Sequence, residues 1–182
     1  MGKNIADSDD GTIDIQLENI RENMKILFLA DEEEKSLYEF FDPQRLEGVD
    51  LIISCGDLSR HYLEYIVTMA RCPLLYVRGN HDSDNFLSKM EEIPENLLLF
   101  GEEWTAYRYG NIVISGLELG ARNQVTAYNS LVLNHDDFNI VTLHGQIGNY
   151  RSKEQAESIS LNELKNKNID YLALGHVHGF VQ

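Results

Sequence analysis

From about residue 24 onward, apolar residues come in short unbroken runs, and several of these runs end on a polar or metal-binding side chain. Lys25-Ile26-Leu27-Phe28-Leu29-Ala30 is the first and reads as a strand. Val49–Ser54 is the second, apolar up to its polar end, and Leu74–Val77 is the third. Runs this short fit buried strands. Between the second and third, Ser59–Ala70 carries Leu63, Ile66, Val67 and Ala70 at helical spacing, with Ser59 placed to cap the helix. A helical stretch is also expected near Lys35–Phe41, broken at Pro43, and another over Asp84–Glu91, closed by Pro94. This alternation predicts a parallel sheet covered on both faces.

The texture then changes. Leu97–Phe100, Glu103–Arg108 and Asn111–Ser115 read as short strands, with Tyr109-Gly110-Asn111 as a hairpin turn. Ile140–Leu143 is again a buried-type strand, Ser160–Asn166 a short helix and Asp170–Leu174 the last clear strand. Residues 1–23 are polar and weakly periodic, with six acids against two bases. They read as an acidic N-terminal extension, disordered or loosely docked. The alternative is a small amphipathic piece around Ile13–Ile20 that packs on the domain. The folded domain is expected over 24–182. A strand such as Asp170–Leu174 is usually followed by more sheet. Either C-terminal strands are missing or the domain ends unusually early.

Composition narrows the class. A chain of 182 residues that is 43% hydrophobic fits one domain with a real core. No run approaches the roughly 18 apolar residues of a membrane span. The first residues lack a secretory pattern, and Ala6 breaks the myristoylation pattern. The two cysteines, Cys55 and Cys72, read as reduced, buried thiols, and a cytoplasmic location is the expectation. A net charge of −15 disfavours sequence-independent nucleic-acid binding, which needs a basic track.

The chemistry sits at the strand ends. Cys55-Gly56-Asp57, Gly79-Asn80-His81-Asp82 and Gly175-His176-Val177-His178 each follow an apolar run, and Asp31 and His144 do the same. In open α/β sheets, ligands gather at the carboxyl ends of the strands. Carboxylate, amide oxygen and imidazole are the mixed ligands that suit Mn²⁺, Fe, Zn²⁺ or Co²⁺. Glycine before Asp57, Asn80 and His176 lets the backbone turn off the strand close to an ion. A metal centre follows, with two metals as the expected count.

In this order, the G-D, G-N-H-D, H and G-H-x-H segments resemble the calcineurin-like metallophosphoesterase superfamily, from about Met24 to the C-terminus. Leu143-His144-Gly145-Gln146 and Asp170–His178 look most like its bacterial exonuclease-subunit-like branch. The resemblance implies a layered α/β/β/α sandwich with the metals at one edge of the sheets. It also implies a two-metal phosphoesterase that cleaves phosphodiester or phosphomonoester bonds through a bridging hydroxide. By this likeness Asp57 bridges the metals, Asp31 and His178 hold the first, and Asn80, His144 and His176 hold the second. His81 faces the scissile phosphate and can protonate the leaving oxygen. Asp82 either orients that imidazole or fixes its loop.

One position departs from the pattern. The first motif should read D-x-H, but the chain has Asp31-Glu32-Glu33. Glu33 is expected to ligate in place of histidine, and the added negative charge favours harder ions such as Mn²⁺ or Mg²⁺. A non-catalytic scaffold and a metal-dependent nuclease are the alternative functions. His61 and His135 read as surface or loop residues, and Arg60 as either solvated or within reach of a phosphate. Trp104, Tyr107 and Tyr109 read as packing residues. Gly145–Gly148 lacks the Lys-Ser/Thr of a P-loop.

Overall fold

A computed structural model describes residues 5–7, 11–15, 23–82, 94–120, 124–148 and 158–176. Strands β1 (Ile5–Asp7) and β2 (Ile13–Ile15) pair antiparallel inside the stretch read as an extension. Beyond them, β3 (Ile26–Leu29), β4 (Leu51–Ser54), β5 (Leu74–Tyr76) and β6 (Leu97–Leu99) form an all-parallel sheet in that order. The hairpin β7 (Thr105–Tyr109) and β8 (Ile112–Gly116) turns at Gly110, whose φ of +58° suits glycine. Strand β9 (Phe138–His144) runs parallel to β8. A short parallel pair, β10 (Gln146–Ile147) and β11 (Ser158–Ile159), follows. Strand β12 (Tyr171–Gly175) returns alongside β9. The second sheet therefore runs β1-β2-β7-β8-β9-β12, with β2 parallel to β7.

Side-chain alternation along these strands sets the layers. Leu51 and Ile53 of β4 point to one face with Leu75, and meet Tyr107, Tyr109, Ile114, Ile140 and Ala173 of the second sheet. Ile52, Leu74 and Tyr76 point to the opposite face and pack beneath helix α1 (Arg60–Ala70) through Tyr62, Leu63, Ile66 and Val67. On the far side, Val141 and Leu143 of β9 pack with Ala127 and Tyr128 of α2 (Gln124–Ser130) and Leu164 of α3 (Leu161–Leu164). Helix, sheet, sheet, helix is the expected four-layer order. Among the described residues, no helix is long and apolar enough to cross a membrane.

Local chemistry explains most boundaries. Ser59 Oγ accepts the Tyr62 amide at 3.2 Å and caps α1 as expected. The helical stretch expected at Lys35–Phe41 is instead two single-turn 3₁₀ pieces, Lys35–Leu37 and Pro43–Arg45. Glu34 and Asp42 cap them by accepting the Ser36 and Gln44 amides, and Ser36 Oγ also donates to Glu34. Such local bonds compete with helix propagation, and a run this short does not repay nucleation. The helix expected at Asp84–Glu91 lies outside the described residues. Helix α2 is not anticipated by the sequence reading. Ile13, in the stretch read as an extension, packs into the layer between the sheets.

Both cysteines are free and buried, and burial pushes the Cys55 thiol up to about 11. Trp104 donates its indole N–H to Ala127 O at 2.7 Å, and Tyr107 and Tyr109 lie in the core, as packing residues would.

Burial also raises the phenols of Tyr76 and Tyr109 far above the ordinary tyrosine range, with the Asp82 carboxylate adding to the effect at Tyr76 and Cys72 at Tyr109. A phenol raised in the folded state stabilises the fold fully below its unfolded value of about 10, and that contribution is lost as pH climbs toward the folded value. At about pH 11 the native chain, which has nine tyrosines, should show fewer than nine phenolates by absorbance near 295 nm. The rest should appear only on unfolding. Nine phenolates with native circular dichroism would contradict this.

Candidate metal centre

Parallel registry brings the strand tips abreast. Leu29 pairs with Ser54 and Ser54 with Tyr76 in one sheet, and His144 pairs with Gly175 in the other. Backbone bonds carry the alignment past the strand ends: Cys55 N–H donates to Leu29 O at 2.8 Å and Asp31 N–H to Gly56 O at 3.1 Å. The two sheets are then tied tip to tip. The backbone N–H of His176 donates to both carboxylate oxygens of Asp31, at 2.8 and 2.9 Å. Asp31, Asp57 and His176 have φ of +62°, +58° and +85°. Aspartate and histidine tolerate this region better than most residues, yet it still carries strain of order 1–3 kcal/mol each, and such strain clusters at functional sites.

His144 is the centre of the arrangement. It is 3% exposed, and its Nδ1–H donates to the Cys55 carbonyl at 2.7 Å. Three glycines, Gly56, Gly79 and Gly175, make room for the ring. Gly56 sits at φ +99°, where an L side chain is strained, and a Cβ there would also press on Nδ1. A Cβ at Gly175 would collide with the Cys55 carbonyl and lie 2.7 Å from the same nitrogen. Gly175→Ala should therefore destabilise the fold by about 1–3 kcal/mol through overpacking, which lowers Tm by roughly 2–12 °C for a chain of this size. Thermal unfolding at the parental Tm would contradict this contact.

With Nδ1–H committed to Cys55, a neutral His144 ring turns a lone pair outward at Nε2. That atom lies 3.0 Å from Asn80 Oδ1 and 3.2 Å from Asp57 Oδ2. Asn80 Oδ1 is also 3.2 Å from His176 Nδ1, and the two imidazoles stand edge to face with centroids 5.3 Å apart. With a neutral His144, Asp57 Oδ2, Asn80 Oδ1 and Nε2 thus crowd together in a partly buried place, an arrangement that a proton or a cation among them would relieve. Among the described residues, Asp57, His144 and His176 form the group whose ligand atoms all lie within 4.8 Å of one another. The donor set of one carboxylate, one amide oxygen and two imidazoles fits a first-row divalent cation.

The loop around Asp57 is held by its neighbours. Asp82 Oδ2 accepts the backbone N–H of Asp57 at 3.0 Å and of Gly79 at 2.8 Å. Asp57 Oδ1 accepts the His81 N–H at 2.9 Å. His81 itself is exposed beside the acceptor cluster. Glu33 is exposed on the loop after β3, and His178 lies outside the described residues. His61 is exposed near Glu64, and His135 sits in a turn beside Asp136. Arg60 pairs with Glu64 along α1.

Sequence reading passes over one pair that borders this loop. Arg78, the residue before Gly79, donates from Nε and Nη2 to Glu118 Oε2 at 2.8 and 2.5 Å. The partners lie 40 positions apart and belong to no recognisable spacing.

The sequence model of the family described as calcineurin-like phosphoesterase matches residues 14–180, and the chain belongs to that family. No curated protein matches the chain.

Proposed function

We propose that this calcineurin-like phosphoesterase hydrolyses phosphate esters, with phosphodiesters as the first class to try, at a centre that takes two divalent cations. The convergence of Asp57 Oδ2, Asn80 Oδ1 and His144 Nε2 carries this reading, since a cation among them would satisfy all three at once. Asp57, Asn80, His144 and His176 would hold one ion. Asp31 and His178, with Glu33 where the family motif has histidine, would hold the other, and Asp57 would be shared. When bound, such ions supply Lewis acidity toward phosphoryl oxygens and make water acidic enough to attack at neutral pH.

The remaining work falls to the chain. The Cys55 carbonyl fixes the His144 tautomer, so that Nε2 is available as a ligand. Asp82 fixes the turn that carries Asn80 and His81 by gripping two backbone amides. The exposed His81 imidazole would give a proton to the departing oxygen. Two buried free thiols fit a reducing, cytoplasmic setting. A role in a nuclease complex of the exonuclease-subunit type would need a partner to supply the basic track that a chain of net charge −15 lacks.

Elemental analysis after metal loading, combined with hydrolysis of bis(p-nitrophenyl) phosphate, tests the reading. Two ions per chain with turnover is the expected result. Two ions without turnover on diester or monoester would favour a protein-interaction scaffold, the reading that Glu33 in place of the motif histidine supports. A carboxylate at that position favours the harder ion, so Mn²⁺ should reactivate stripped protein better than Zn²⁺. Best reactivation by Zn²⁺ would count against Glu33 as a ligand.

A further inference from the structure

We infer that Arg78 and Glu118 form a strut that sets the Asn80–His81 turn against Asp57, and that both act as positioning residues for the reaction; this rests on the phosphoesterase reading above. The turn leaves β5, in the parallel sheet, whereas Glu118 lies two residues beyond β8, in the other sheet. Glu118 is itself anchored, because its backbone N–H donates to Gly101 O at 2.7 Å. Its carboxylate takes two N–H groups of the Arg78 guanidinium, with the partners 24% and 18% exposed. A pair this withdrawn from solvent, made through two donors of a rigid fork, restricts orientation as well as distance.

What the strut restrains is the chain at the site. Gly79, next to Arg78, gives its N–H to Asp82, and Asp82 in turn holds the Asp57 amide. Asn80 then points Oδ1 at both imidazoles, and His81 gives its N–H back to Asp57. The turn is thus fixed on one side by carboxylates of the site. The Arg78–Glu118 pair links it to the second sheet from the other. If that link is lost, the turn breaks and remakes its bonds to Asp82 and Asp57 more often, and its mean position shifts. A displacement of about 1 Å in such a group costs up to ~10²-fold in rate, with little effect on binding of a small substrate.

The test compares the full chain with Glu118→Gln, Arg78→Gln and the double variant. Amide hydrogen exchange at Gly79 and His81, read without metal, is the first measurement, with the amides of α1 as a check on the fold. Glu118→Gln should speed exchange at both sites ~10-fold or more and leave α1 unchanged, and the double variant should exchange no faster than the faster single variant. The second measurement is hydrolysis of bis(p-nitrophenyl) phosphate by Mn²⁺-loaded protein, in which kcat should fall ~10-fold or more with KM within about twofold. Parental exchange at Gly79 and His81, equal acceleration in α1, or effects that multiply in the double variant would overturn the strut. Should Glu118→Gln fail to fold, Arg78→Lys keeps the charge and removes the fork, and parental exchange there overturns the strut equally. Faster loop exchange in a parent chain that hydrolyses nothing would uphold the strut and overturn the phosphoesterase reading instead.

Discussion

Asp57→Asn should abolish divalent-metal binding and hydrolysis together while leaving the fold as stable as before. Asp57 is the carboxylate of the candidate ligand cluster: Oδ1 takes the His81 N–H and Oδ2 lies 3.2 Å from His144 Nε2. An amide at position 57 keeps the shape and the acceptor for His81. It removes the negative charge, and its NH₂ can face the His144 lone pair, which supplies the proton that the acceptor cluster lacks. Affinity should drop by more than the ~10–100-fold that loss of an outer partner costs. The metal-free variant should melt at or above the parental Tm, because the repulsion among acceptors is relieved. The parent should gain about 2.7 kcal/mol at metal concentrations of 100 Kd, and the variant should gain none. Thermal shift with and without Mn²⁺ reads both outcomes. A variant that still gains stability from Mn²⁺ would remove Asp57 from the ligand set.

His81→Ala makes the complementary case. The side chain is exposed, and the hydrogen bond to Asp57 comes from the His81 backbone, which alanine retains. Metal content should therefore stay at the parental level while kcat falls by about 10²–10⁴, the usual worth of a positioned acid. The loss should be smaller for substrates whose leaving group needs no proton, such as p-nitrophenolate esters, than for alkyl esters. Equal loss on both would reassign His81 from proton donor to charge stabiliser, and parental turnover on both would remove it from the reaction.

Much of this was legible because the relevant signals are local. The buried runs at Leu51–Ser54 and Leu74–Tyr76 announce strands by apolarity alone, and Ser59 announces the start of α1 by its capping chemistry. The Gly110 turn is a steric signal of the same kind. What was not legible depends on partners distant in sequence. β2 is three residues long and is a strand because β7 is beside it. The stretch at Lys35–Phe41 looks helical until Glu34 and Ser36 bond to each other. The candidate ligands could be named from motifs, and the crowding of their lone pairs could not, since it needs His144 fixed by a carbonyl 89 positions away. Arg78 and Glu118 carry no signal at all until the two sheets are superposed.

The bond from His176 to Asp31 spans 145 positions. Contacts of such separation close large loops, so they form late and slow the approach to the native state. A chain that has folded only its first sheet already presents Asp31, Asp57 and Asn80, but has neither imidazole. A cation shared by both groups would therefore need the two sheets joined, and local opening of β12 would weaken its hold before the rest of the molecule unfolds.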